Sequence, residues 1–322
     1  MTITEATQDQ TRESSVPNVR PSELAMPAYA MCPPFSYATT VANNAWMEEM
    51  EAEEREPNRR LALAQFFQVY RYIASEGVVY LVPTPPKAEL QDQVFTANLA
   101  VSLEHQSHRG TIVVSNFTSE PRVAETDVGL AFFGLLGDEV HVAPSKFEGD
   151  AELKHLHDHV YVGGYGLRSE PETYDWMERT FGMRVIKVRL KDPYLYHLDC
   201  LVFPVTREDT VVCTELLDQN EIEEIERETN ILDVSEEEAY TGICNSLRVT
   251  NTILNGSNIH DLDRRSEDYA HEVKKNRKLE DIASGLAMEV KYFNLSEYMK
   301  AGALLSCMVM HLNRFSYDLQ LT

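Results

Sequence analysis

The chain has 322 residues, 43% of them hydrophobic, with 52 acidic against 29 basic side chains and a net charge of −23. That length suits one large domain or two medium ones with a sizeable core. So acidic a balance excludes nucleic acid and anionic membrane surfaces as partners, because phosphates must be met by Lys and Arg; it is compatible with a cationic small molecule, which a negative field concentrates.

The opening stretch, MTITEATQDQTRESS, lacks the basic-then-apolar build of a signal peptide, and no apolar run approaches membrane-spanning length. Five cysteines (Cys32, Cys200, Cys213, Cys244, Cys307) are odd in number, spread out and free of CxxC pairs. That pattern fits a reducing compartment, so the expectation is a soluble cytoplasmic protein. Residues 1–27 are polar and punctuated by proline and predict a disordered or loosely tethered arm. The remainder, 28–322, is expected to form a single catalytic domain.

Helical spacing predicts a helix over Leu61–Ser75, stopped by Gly77, followed by a buried strand in VVYLVPTP. Strand-like runs follow in QVFTANLAVSL and GTIVVSNF, then a helix in YDWMERTFGM closed by Gly182 and a strand in RVIKVRL. DQNEIEEIERET reads as a surface helix, VSEEEAYTG as part of another, RVTNTILN as one strand and CMVMHLN as a last strand. The charged stretch near 258–285 reads as a helical insertion, either a contact in a homo-oligomer or a substrate lid. Strands and helices alternate throughout, which defines an α/β or α+β class. Polar residues in apolar, strand-like settings (Asn44, Asn98, Glu148, His197, Asn245) recur about every 50 residues, the period of repeated supersecondary units set around a centre.

His197 and Asp199, in YLYHLDC, would share one face of a strand. A cysteine attacks carbon as thiolate, histidine is its usual proton partner near neutrality, and a carboxylate orients the ring. Cys307, His197 and Glu148 supply that set, leaving Asp199 to pair with a planar guanidinium. From residue types alone a plainer reading stands beside it, with Cys307 a buried small hydrophobe and His197 a satisfied core residue. HLHDH at 155–159 invites a metal reading, but the adjoining YVGGYG suggests a hairpin with its polar face in water.

The ordered strings MCPPFSY, NAWM, QVFTAN, FEGDAEL, GGYGLRS, YHLDC, CNSLRV and KAGALLSC resemble the guanidino-group-modifying enzymes. These are arginine deiminases, dimethylarginine dimethylaminohydrolases, arginine dihydrolases and amidinotransferases. The resemblance implies the pentein fold, a five-bladed α/β propeller with pseudo-fivefold symmetry. It implies Cys307 as nucleophile, His197 as general acid and base, Glu148 as the carboxylate orienting it and Asp199 as the group holding the guanidinium. Arg122 and Arg168 match arginines that grip a substrate α-carboxylate. Asn98 stands where deiminases place an aspartate, and Asn44 matches an asparagine of the dihydrolase branch. The family's EGGD-type turn reads EGDAE, with Glu152 in an aspartate's place and in the substrate-binding set, and its GG before the cysteine reads Gly302-Ala303. The resemblance is greatest to arginine dihydrolases, which convert arginine to ornithine, ammonia and carbon dioxide without a cofactor or metal. An amidinotransferase, a dimethylarginine hydrolase or deiminase, and a non-enzymatic arginine-binding module are the alternatives.

Overall fold

The same order of elements recurs five times along the computed structural model, which describes residues 19–85 and 89–319. In the first unit β1 (Ala28–Met31) is followed by a crossover helix, Arg59–Glu76, and by β2 (Val78–Leu81), parallel to β1. In the second, β3 (Ala100–Ser102) and β4 (Thr111–Val114) pair antiparallel, and helix Glu125–Leu136 leads to β5 (Glu139–Val142), parallel to β4. The third repeats this with β6 (Leu153–His157), β7 (Val160–Tyr165), helix Pro171–Phe181 and β8 (Arg184–Arg189). The fourth has β9 (Val202–Pro204), β10 (Asp209–Val212), helix Gln219–Glu226 and β11 (Asn230–Asp233). The fifth has β12 (Leu247–Val249), β13 (Thr252–Gly256), helix Glu267–Gly285 and β14 (Glu289–Phe293). Finally β15 (Met310–His311) pairs antiparallel with β1, so the first sheet takes its third strand from the far end of the chain. The result is an α/β protein of five three-stranded sheets.

Local chemistry accounts for the helices. Asn58 caps the first crossover helix by accepting from the Arg60 and Leu61 amides, and Ala62, Phe66, Val69 and Ile73 form its buried face at three- and four-residue steps. Each fully buried Phe or Ile on such a face contributes roughly 1.5–3 kcal/mol. Gly77 ends it because the chain there packs on Pro27, whose carbonyl oxygen would lie 2.5 Å from an added Cβ. Pro171 opens the third unit's helix, and Gly182 closes it in the left-handed region at φ +68°.

Four expectations are corrected. The charged stretch read as an insertion is, over Glu267–Gly285, the crossover helix of its own unit. Its inner face is unusually polar: Lys275 is fully buried, paired with Glu272 at 2.8 Å and bonded to the Gly256 carbonyl, which hid its amphipathicity. RVTNTILN is not one strand but the β12–β13 hairpin. VVYL lies at the edge of its sheet and is only partly buried. Residues 19–27 are docked, not loose: Arg20 donates to the Arg109 carbonyl at 2.7 Å, and the Asn313 amide donates to the carbonyls of Pro21 and Met26. The rest of the expected arm, 1–18, lies outside the described residues. Among the described residues no helix is long and apolar enough to cross a membrane.

Candidate active site

Each unit delivers one polar side chain from the turn just before its outer antiparallel strand. Asn98 precedes β3, Glu148 precedes β6, His197 precedes β9, Asn245 precedes β12 and Cys307 precedes β15. Four of these turns are single 3-10 turns: Thr96–Asn98, Gly149–Ala151, Leu198–Cys200 and Ser306–Met308. The spacing of about 50 residues seen in the sequence is therefore real, but its fifth member is Cys307. Asn44 belongs to the long connection between β1 and its helix.

His197 and Asp199 were expected on one strand face. Instead His197 is the extended residue that opens a 3-10 turn containing Asp199. The two diverge into separate roles around one centre. His197 Nε2 lies 2.7 Å from Glu148 Oε2 and 3.3 Å from the Asn98 amide. Glu148 is fully buried, and burial alone would raise its carboxyl. The hydrogen bond and charge of His197, with Arg168 and Arg122 behind, outweigh that and take it down to about 2. It is therefore an ionised acceptor, and Nε2 carries the proton. Glu148 sits at a turn opening, not within a strand, and Gly149 follows at φ +68° because an added Cβ would meet the Ala97 carbonyl oxygen at 2.5 Å.

Asp199 faces the sulfur. Its Oδ2 accepts from Ser306 Oγ at 2.6 Å and lies 3.8 Å from Cys307 Sγ. Asn245 completes the setting, donating Nδ2 to Sγ at 3.3 Å and accepting from the Ser306 amide at 2.9 Å. Burial first, and the Asp199 charge second, push the Cys307 thiol up to about 12. With nothing bound the sulfur is thus protonated, and a cation beside it would favour the thiolate.

Cys307, His197, Glu148, Asn98, Asn44, Arg122 and Arg168 line one narrow cavity of about 20 Å³, which also takes in Asp92 and Tyr196. That is room for about one water, so a larger ligand must displace side chains to enter. Arg168 stacks on the Tyr196 ring at 4.8 Å, donates to the Asn43 carbonyl and lies 3.8 Å from Glu148. Arg122 is more committed. Its Nε and Nη2 bond the Glu125 carboxylate at 3.0 and 2.8 Å, Nη2 also reaches the Phe95 carbonyl, and its plane stacks on Phe117. Among the described residues Nη1 has no partner, which leaves it for a ligand in the cavity. Asn44 caps the short helix Ala45–Glu48 and donates to the Ala301 carbonyl. Gly302, at φ +69°, lets that clamp close, since its added Cβ would meet Asn44 Oδ1 at 2.9 Å. Ala303 is buried and accommodated in the family's second glycine position.

Glu152 does not reach the cavity. It is fully buried behind His197, with Oε2 accepting from the Leu198 amide at 3.3 Å and Oε1 unpartnered. Nor do His155, His157 and His159 converge. His155 is buried between Arg207 and the Asp158 carbonyl, so the hairpin's polar face is not all in water, while His157, set off from it by a bulge, pairs with Glu228. Sequence reasoning assigned no role to Asp92, Ser306 or Asn245. For Asn245 the period of about 50 residues was the available signal. Asp92, in the polar run QDQ, had none.

A cysteine, a histidine and two carboxylates presented by turns of a five-sheet α/β frame form a set suited to covalent chemistry on a small polar ligand. The profile of the family described as "N,N dimethylarginine dimethylhydrolase, eukaryotic" matches residues 34–314, and the chain belongs to that family. Its curated relatives include the bifunctional arginine dihydrolase/ornithine cyclodeaminase AgrE of Nostoc sp., 26% identical over 88% of this chain and 37% of that protein. The N(G),N(G)-dimethylarginine dimethylaminohydrolase of Mycobacterium tuberculosis is 27% identical over 53% of each chain. The chain thus spans little more than a third of the length of the bifunctional relative. Among solved structures, the N-terminal domain of ArgZ, an arginine dihydrolase from the ornithine–ammonia cycle in cyanobacteria, superposes with a TM-score of 0.76. It shares 24% identity and covers 89% of this chain and 97% of its own. A dimethylarginine dimethylaminohydrolase in adduct with S-methyl-L-thiocitrulline gives 0.66 at 17% identity, covering 89% and 99%.

Proposed function

We propose that the protein is a cysteine-dependent hydrolase acting on the guanidino carbon of arginine, and that it works as an arginine dihydrolase. The observation that carries the reading is the meeting of Cys307 with the Glu148–His197 pair in one cavity rimmed by Arg168 and Arg122. The cyanobacterial relatives support it. The same reading takes the five sheets as blades of a propeller around the site, in a cytoplasmic protein.

The steps follow from charge. Free, the buried thiol is held protonated by desolvation and by Asp199. A guanidinium seated against Asp199 supplies the missing positive charge, and the α-carboxylate is met by Arg168 and Arg122 Nη1. As the thiol gives its proton to His197 the sulfur attacks the guanidino carbon; His197 then hands that proton to the departing nitrogen, which leaves as ammonia, and a planar S-linked amidinium remains. His197, oriented by Glu148, then takes a proton from water, which adds to that carbon and expels the thiolate as citrulline forms. A second round at the ureido carbon releases another ammonia and a carbamic acid that breaks down to ornithine and carbon dioxide. The neutral Asn98 amide, close to His197, both donates and accepts, so it suits an uncharged ureido group better than a second carboxylate would.

Purified protein incubated with arginine alone should give ornithine, carbon dioxide and two ammonia per turnover. Citrulline as the sole end product would refute the dihydrolase reading. Asn98→Asp should shift the ratio from ornithine toward citrulline. A second reading, hydrolysis of dimethylarginine, is favoured by the family match; release of dimethylamine from asymmetric dimethylarginine, faster than ammonia from arginine, would establish it instead.

A further inference from the structure

Beside the reactive cavity lies a larger one of about 120 Å³, and the two share only Ala303. We propose that it is a second binding site, for a small alkylammonium ion. Its walls include Trp46, Tyr194, Tyr240, Met299 and Leu304, with Asn245 at the side nearest Cys307. Three rings are set at angles to one another. Trp46 lies 5.0 Å from Tyr194 at 73° and 6.2 Å from Tyr240 at 75°, and the two tyrosines are 6.5 Å apart at 43°. The indole is fixed by its Nε1–H, which donates to the Tyr194 carbonyl at 2.8 Å.

The charge around the rings is of one sign. The Tyr194 hydroxyl donates to the Glu49 carboxylate and the Tyr240 hydroxyl to that of Asp192, and among the described residues no Lys or Arg lines the cavity. A phenol donating to a carboxylate gains electron density on its ring, which strengthens attraction for a cation over the ring face. Angled aromatic rings whose hydroxyls are held by carboxylates suit an ion whose charge is wrapped in methyl or methylene groups, because such an ion loses little hydration on entry. A cavity of about 150 Å³ holds benzene, so this one takes a trimethylammonium-sized group. Neutral apolar ligands would forgo the electrostatic part, and ammonium itself is too strongly hydrated to prefer the rings.

The site is independent of the proposed arginine chemistry, and its test does not need turnover. The chain has two tryptophans, so Trp176→Phe leaves Trp46 as the sole indole reporter. Choline is compared with its uncharged isostere 3,3-dimethylbutan-1-ol and with sodium chloride at matched ionic strength. The expected result is a saturable change in Trp46 fluorescence with choline, with a dissociation constant on the order of millimolar, and at least about tenfold weaker binding of the isostere. Tyr240→Leu should weaken choline at least about tenfold and Tyr240→Phe, which keeps the ring, only about two- to threefold. Saturating arginine in a Cys307→Ser background should leave choline binding in place. Equal responses to choline and the isostere, a linear response matched by sodium chloride, or strict competition with arginine would each overturn the proposal. The isostere comparison keeps the cage intact, so it decides the matter even if Tyr240→Leu fails to fold.

Discussion

Two carboxylate–histidine pairs grow from the same turn, two residues apart in sequence, and they do different things. Glu148 meets His197 at 2.7 Å and Asp150 meets His311 at 2.9 Å, and all four residues are buried. The first pair opens on a cavity holding a sulfur. The second is closed by Arg314, whose guanidinium bonds Asp150 at 2.6 Å and stacks on Tyr317. Burial, then the charge of Arg314, lower His311 to about 4, so it is neutral at pH 7. Against the pull of burial, Arg314 and Lys154 hold Asp150 well below the usual carboxylate range. A histidine beside a carboxylate is thus not in itself a catalytic device. The proposed chemistry needs a void and a sulfur beside the pair, and a fixed cation in their place makes a structural clamp.

The sharpest way to test that contrast is to remove the third group. Cys307→Ser should lower kcat by about 10³-fold or more while leaving the melting temperature within a few degrees, because the loss is chemical. Comparable turnover by the serine variant would remove the nucleophile from the scheme. Glu148→Gln keeps the shape but loses the charge that holds His197, and kcat should fall by about 10²–10⁴-fold. Its folded carboxyl, near 2, contributes stability present above the ordinary 4.5 and lost as pH falls toward 2, so the variant should also unfold less steeply in acid than the wild type.

At the clamp the same conservative change should act on folding. Asp150→Asn leaves Arg314 buried and uncompensated, which costs about 3–5 kcal/mol in denaturant titrations. Turnover per folded molecule should stay within about tenfold of wild type, as the pair does not reach the cavity. His311 adds a pH signature: depressed when folded, it makes the unfolded chain bind more protons between about 4 and 6.5, so stability falls as pH drops through that window. His311→Asn should flatten that fall. An Asp150→Asn protein as stable as wild type but inactive would reverse the two roles.

How far these sites were legible from sequence follows from the same contrast. Cys307 and His197 stand out because each sits in a largely apolar run just before a strand, and with Glu148 they carry an ordered series of motifs. Asp150 and Arg314 are 164 residues apart, and His311 looks like an ordinary residue in CMVMHLN, so nothing local announces the clamp. Local periodicity also misled. His197 and Asp199 do share a centre, but through a 3-10 turn whose side chains are drawn apart by Glu148 and Ser306, not through strand alternation. The stretch holding Glu267–Gly285 reads as helical, but its place as a crossover helix stayed hidden because a buried Lys275–Glu272 pair occupies the face that apolar residues usually mark.

Glu152 gives the finest test, since it borders the Glu148–His197 pair yet among the described residues neither lines the cavity nor meets a cation at hydrogen-bond distance. Burial first, then the charge of Glu148 and, further down, of Asp199, push its carboxyl well above the ordinary 4.5. Below 4.5 both folded and unfolded chains hold that proton. Above it the unfolded chain releases its proton and the folded chain keeps it, so this residue's contribution to stability declines as pH rises. Glutamine does not titrate and its carbonyl oxygen still accepts from the Leu198 amide. Near pH 4.5, Glu152→Gln should therefore lie within about 1 kcal/mol of wild type, and thermal melts should show the variant gaining on wild type as pH rises above that. A gap that stays constant between pH 5 and 8 would mean that Glu152 is already ionised in the folded protein. A third buried negative charge would then sit next to Glu148, and the clean division between an open pair and a clamped one would no longer describe this turn.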